Sequence, residues 1–213
     1  MPKNALEKRF YNFEVRAGQS ESGESIISGR PIVYDSRTNL GYFDEIIEQG
    51  ALDGANLTDV RFLVNHDMSK IPLARSRRNN GNSTMLLSVD SEGLSLDWAK
   101  LDTENNSEAR ALYSAVQRGD ISGMSFMFSI DGEKWEDLES SHPTRRVTKI
   151  GSVVEISAVT FPAYESTEIY ARSNEALENA RAALEKARKQ SANLPDGSLE
   201  LAKAKFEFIM KTR

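Results

Sequence analysis

Apolar residues alternating with polar ones at a period of two, in short runs cut by turns, dominate the first 170 or so residues. In RFYNFEVRA, Tyr11, Phe13 and Val15 fall on one face; in RFLVNH, Phe62, Val64 and His66 do; further on, Phe126, Phe128 and Ile130 alternate against Ser125, Met127 and Ser129. Successive side chains of a strand point to opposite sides of the sheet, so this pattern demands half-buried strands. Gly29 and Pro31 interrupt IISGRPIVY, and Ser91-Glu92-Gly93 between STMLLSVD and GLSLDWAKL predicts a hairpin. Asp131-Gly132 predicts a turn into EKWEDL, the polar LESSHPTRR a loop with His142 exposed, and GSVVEISAVTFPAY a last strand. One helix stands between strands, in NNSEARALYSAVQRGD. There Asn105 and Glu108 resemble a capping box, Ala109, Leu112 and Val116 share a face, and Gly119 is the stop.

These signals predict an α+β fold, with an antiparallel, β-barrel-like core and flanking helices. After Tyr170 the composition changes. SNEALENARAALEKARKQ places Ala176, Leu177, Ala180, Ala183, Leu184 and Ala187 at helical spacing, SANLPDGS is a linker, and LELAKAKFEFIMKTR is a second amphipathic helix. The expected organisation is a β-rich domain over residues 1–171 and a separable helical tail over 172–213. No internal repeat is present.

The net charge of -5 disfavours a protein dedicated to coating nucleic acid, and Arg75, Arg77 and Arg78 read as a solvated loop. No apolar run approaches the ~20 residues that span a bilayer, and the polar start MPKNALEKRF lacks the apolar stretch of a secretory signal, so the cytoplasm is the expected compartment. With no cysteine and only two histidines, thiol nucleophiles, thiolate zinc sites and multi-histidine metal centres are excluded. No calcium-loop pattern occurs, and no cofactor or metal is expected. The chemistry left is that of hydroxyls, carboxylates and two imidazoles.

Three residues stand out, each with two readings. Ser125, in ISGMSFMF, begins a strand two residues after Gly123, where a nucleophile would find close substrate approach and backbone N–H donors for an oxyanion; alternatively it is a strand serine facing a small gap. His66 shares the strand parity of Phe62 and Val64, which would bury it as a neutral proton acceptor; the other reading is a hydrogen-bonded histidine at a strand end. Asp67 is assigned to the turn, because neighbours on a strand point to opposite faces. Glu155 sits in the apolar VVEISAVTF, where an inward carboxylate needs a partner, although parity equally permits it to face solvent. Base, nucleophile and acid are thus all available, on three predicted strands.

Taken in order, KRFYNFEVRA, ISGRPIVYDSRTNLGYFDEIIEQGAL, DVRFLVNHD, LYSAVQRGDISGMSFMF and VVEISAVTFPAY resemble the prohead (procapsid) maturation serine proteases of tailed bacteriophages, whose fold is similar to that of herpesvirus assemblin. The resemblance spans about residues 8 to 171. It implies His66 as base, Ser125 as nucleophile and Glu155 as the acidic third member, with no cofactor. The oxyanion donors stay unassigned between backbone N–H groups near Ser125 and an arginine. The implied substrates are the scaffolding segment of the major capsid protein, any separate scaffold protein and the protease itself, inside the assembling prohead in the host cytoplasm. A homodimer is implied by the assemblin likeness, and neither nucleic acid nor membrane is a partner. Two positions depart from the family pattern: Met127 and Ala74 stand where glycine is common, and Met127 is placed to reshape a substrate cleft. The tail matches the motifs poorly, which suits either a segment removed by self-cleavage, an adaptor to scaffold helices, or a cover for the β domain. The competing functions are a non-catalytic procapsid scaffold or structural protein, and an esterase or amidase using the same triad. The absence of a G-x-S-x-G elbow and of a βαβ pattern disfavours the usual hydrolase fold.

Overall fold

The computed structural model describes residues 6–11, 15–160 and 174–192. Its strands form two sheets. The larger contains β1 (Leu6–Tyr11), β4 (Arg37–Asn39), β5 (Asp44–Ile47), β6 (Arg61–Val64), β7 (Ala74–Arg75), β10 (Gly123–Glu136) and β11 (Thr144–Val159); the smaller contains β2 (Val15–Gln19), β3 (Ser25–Val33), β8 (Met85–Asp90) and β9 (Gly93–Lys100). The strand order is β1-β10-β11-β5-β4 in the first, with β6 beside β11 and β7 beside β6, and β2-β3-β9-β8 in the second.

The expected barrel is not closed, and the larger sheet is not purely antiparallel. β11 is the reason. Its first quarter pairs with β5 and its last part with β6, both in parallel, while its other edge carries β10 for almost its whole length. One long strand serving two short partners leaves β1, β4 and β7 as ends of pairing rather than joining them into a ring. The α+β class stands, with mostly strands and two α-helices among the described residues.

Several local expectations change with the pairing. RFYNFEVRA is not one strand: β1 joins β10 and β2 joins β3, in different sheets. Asp131-Gly132 makes no turn, because β10 runs through it as a bulge with register shifts on both sides of Gly132. Pro31 lies at a similar irregularity of β3, which is where a strand tolerates a residue without an N–H. The hairpin of β8 and β9 forms as predicted. Gly93 opens β9 at φ 142°, and a Cβ there would lie 2.0 Å from the carbonyl oxygen of Ile32, so glycine is required.

Helix α1 (Ser107–Arg118) follows β9 and packs on β2 and β3, burying Ala109, Leu112 and Val116 as its spacing demands. Its cap is Asn106 rather than Asn105; the Asn106 side chain accepts from the N–H groups of Glu108 and Ala109, and Gly119 ends the helix at φ 77°. The core between the sheets includes Ile27, Ile32, Phe62, Met85, Leu94, Phe126 and Phe128. Each such side chain contributes about 1.5 to 3 kcal/mol through removal from water.

Helix α2 (Asn174–Ala192) lies against the larger sheet. Ala180 packs with Leu40 and Phe43, Arg181 stacks 3.9 Å above the Tyr42 ring, and Arg188 donates to the carbonyls of Leu138 and Ser140. The second predicted tail helix lies outside the described residues. Among the described residues no helix is long and apolar enough to cross a membrane.

Candidate active site

Strand β6 runs parallel to the end of β11, with Leu63 opposite Ser157 and Val64 opposite Ala158. The chain then reverses. Asn65 and His66 both adopt positive φ, 51° and 58°, and the Asp67 N–H closes the turn on the Val64 carbonyl at 3.1 Å. Positive φ at both central residues is the signature of a type I′ turn, and asparagine and histidine are among the side chains that accept it. His66 therefore sits on a turn, not on the strand face of Phe62 and Val64; its burial comes from the turn folding back over β11. Asp67 serves the turn as expected, accepting from the N–H and hydroxyl of Ser69.

The turn is tied to β11 and the residue that follows it, beginning with the Asn65 N–H, which donates to the Ala158 carbonyl at 3.0 Å. Asn65 Oδ1 accepts from both the N–H and the hydroxyl of Thr160, at 3.0 and 2.9 Å. The His66 N–H donates to Ser157 Oγ at 3.0 Å.

All three singled-out side chains meet here. Ser125 on β10 pairs across the ladder with Ser157 on β11, and its Oγ contacts His66 Nε2. On the other side of the ring, Nδ1 lies 2.5 Å from Glu155 Oε2. Glu155 faces inward: it is fully buried, as are Ser125 and Ser157, and His66 is 7% exposed. The inward reading thus holds for Glu155, which carries the further partner that a buried carboxylate requires, since Ser157 donates to its Oε1.

Ser157 and Asn65 did not emerge from the sequence. Glu155 and Ser157 are two apart on one strand and so share a face, a signal that was present in VEIS; nothing local to Asn65 announces its partner at Thr160. His142, expected to be exposed, is half-buried with Nε2 2.9 Å from Asp44 Oδ1, and it lies with the β10–β11 connection rather than in the Ser125 cluster.

Beside the nucleophile strand lies a buried ionic cluster. Arg9 on β1 bonds both carboxyl oxygens of Glu45 on β5 and also Glu7; Arg145 on β11 bonds Glu7, Glu45 and Glu133. The Arg9 guanidinium also sits 5.5 Å above the Phe128 ring. Burial pushes the Glu7 carboxyl up, but the adjacent Arg9 and Arg145 guanidiniums outweigh it and hold the group below its usual value. Ser125 Oγ donates to the Arg9 carbonyl at 2.5 Å. A groove of about 410 Å³, walled by Leu63, Leu73 and Leu112, opens between the His66 turn and α1. Among the described residues no group of three or more histidine, aspartate or glutamate side chains is placed to hold a metal ion.

Hydroxyl, imidazole and carboxylate in hydrogen-bonded series are the groups that nucleophilic acyl transfer requires, and they are held here on two adjacent strands and one rigid turn. Over residues 11–181 the chain matches the caudovirus prohead serine proteases, and it belongs to that family. No curated protein and no solved structure matches it.

Proposed function

We propose that this chain is a prohead maturation endopeptidase working through a Ser125–His66–Glu155 triad. The observation that carries the reading is the two-sided engagement of the His66 ring, with Nε2 against Ser125 Oγ and Nδ1 against Glu155. With the Ser125 hydroxyl turned to His66, Nε2 takes its proton as Oγ attacks a peptide carbonyl, and Glu155 orients the ring and stabilises the imidazolium. Nε2 then returns the proton to the leaving amine, and water hydrolyses the acyl-enzyme by the same steps in reverse. Ser157 is a positioning residue, holding both the turn that carries His66 and the carboxylate that supports it.

The proposed substrates are the scaffolding segment of the major capsid protein, a separate scaffold where there is one, and the protease itself within the prohead. Confinement raises the local concentration of enzyme and substrate, so weak peptide recognition suffices. Residues 172–213 act in this reading as an adaptor to scaffold helices or as a self-cleaved segment, and the protease functions as a homodimer. The deciding experiment follows the intact mass of purified wild-type and Ser125→Ala protein, alone and co-expressed with the capsid protein. Trimming of the capsid protein or of the chain in wild type only supports the proposal. Equal trimming in both, or none in the presence of the capsid protein, refutes it.

A further inference from the structure

A nucleophilic hydroxyl must be reachable, yet Ser125 has no accessible surface and β1 lies directly along its strand. The Oγ–H points to the Arg9 carbonyl oxygen at 2.5 Å. A hydroxyl carries one proton, and a carbonyl can only accept. With that proton committed to Arg9, the contact between Ser125 Oγ and His66 Nε2 is completed by a proton on Nε2. An imidazole protonated there cannot take the serine proton. β1 therefore shields the nucleophile and also holds the base in a form unable to act.

β1 is also placed as an extended peptide would be. It runs antiparallel to β10 in continuous register, Leu6 opposite Ser129 through Tyr11 opposite Met124, which is how a peptide adds to a sheet edge. Among the described residues, its strand partner is β10. Leu6 is 48% exposed, and the Glu7 and Arg9 side chains are held by the ionic cluster. When β1 leaves, Arg145 keeps Glu45 and Glu133 as partners, so no buried carboxylate of the cluster is left without a cation.

We propose that the β10 edge from Met124 to Ser129 is the binding site for extended substrate peptides, and that residues 6–11 occupy it in the resting protein as an internal stand-in for substrate. This rests on the reading of Ser125 as nucleophile. The Arg9 carbonyl meets the hydroxyl through its oxygen, so it accepts a hydrogen bond and is not attacked. Substrate displaces β1, His66 gives up its Nε2 proton to solvent as the Ser125 hydroxyl turns to donate to Nε2, and the triad becomes competent. Activity is thereby restrained until peptide is concentrated enough to compete with the strand.

The chain has no cysteine, so a single engineered disulfide can lock the strand. In the Leu6→Cys/Ser129→Cys protein the two positions are directly opposed, and neither belongs to the proposed triad. Labelling of Ser125 by a fluorophosphonate probe, located by peptide mass, and cleavage of capsid-protein peptides are measured with the bridge oxidised and reduced. The oxidised form is expected to react about 100-fold more slowly than the same protein reduced, with wild type indifferent to redox state. Equal rates in the two states overturn strand displacement while leaving the nucleophile assignment intact. Absence of Ser125 labelling even in the reduced form, with folding verified by circular dichroism, removes the nucleophile assignment and this proposal with it. In the cysteine-free protein, Glu7→Gln/Arg9→Gln loosens the clamp and is expected to raise the labelling rate several-fold; a folded variant with an unchanged rate counts against the proposal.

Discussion

Replacing Ser157 by alanine tests whether the site is held together as described. Its hydroxyl is fully buried, accepts from the His66 N–H at 3.0 Å and donates to Glu155. Alanine leaves a buried backbone donor without an acceptor, at about 1 to 3 kcal/mol, and removes a bond to a carboxylate of similar worth. The two losses share one small cavity and are not additive, so a destabilisation of about 3 kcal/mol is expected in urea unfolding. The turn bearing His66 also loses its backbone anchor to β11 at the ring-bearing residue, while the Asn65 contacts to Thr160 and Ala158 remain. Misplacement of a base by a fraction of an ångström to an ångström costs up to about 100-fold in rate. We expect kcat to fall about 10- to 100-fold with KM within about 2-fold, measured on protein whose active fraction is titrated by the serine-reactive probe. A merely unstable enzyme would lose active fraction, not kcat per active site. A folded Ser157→Ala enzyme with wild-type kcat and less than about 0.5 kcal/mol of destabilisation would refute the positioning role.

Ser125→Ala is expected to reduce capsid-peptide cleavage by roughly 10,000-fold or more while leaving the circular dichroism spectrum unchanged; retained cleavage in a clean preparation removes Ser125 as nucleophile. Glu155→Gln keeps the shape but not the charge, and a loss of about 1,000- to 10,000-fold is expected, with full activity excluding it from the triad. Gly93→Ala forces a side chain onto φ 142° and into the Ile32 carbonyl, so a loss of at least about 3 kcal/mol in unfolding free energy is expected; a neutral result would mean the β3–β9 contact is not as described. Glu7, held below its ordinary value of 4.5 by Arg9 and Arg145, lends stability that is complete above that value and is lost as pH falls through the folded value. The advantage of wild type over Glu7→Gln in urea midpoint should therefore shrink as the pH is lowered from about 6 to about 3; a constant difference would contradict the ionic clamp.

Much of the site was legible because its parts are local. The alternation of Phe126 and Phe128 fixes Ser125 on the opposite face of its strand, and the apolar run around Glu155 makes the carboxylate conspicuous, although parity left its direction open until the structure buried it. His66 was found by its scarcity, though on the wrong element, since nothing in RFLVNH distinguishes the last residue of a strand from the second residue of a reversing turn. Asp131-Gly132 misled for a related reason: the same dipeptide suits a turn or a bulge, and only the partner strand chooses. The continuous alternation through RFYNFEVRA concealed a change of sheet, because period two reports that a segment is extended and is silent about its neighbour.

By itself, then, the sequence determined the extended segments, the α1 helix with its buried stripe, and an inventory of chemistry narrowed to hydroxyls, carboxylates and two imidazoles. Each of these follows from short-range geometry and composition. The tertiary structure alone decided that β11 divides its edge between β5 and β6, which opens the sheet and carries the His66 turn to Glu155 and Ser157. It also decided that β1 lies on Ser125. Those outcomes depend on pairing between segments separated by 36 to 138 positions, as in the Arg9–Glu45 and Arg145–Glu7 contacts, and such pairing is selected by the whole fold's burial and hydrogen bonding rather than by any local run of residues.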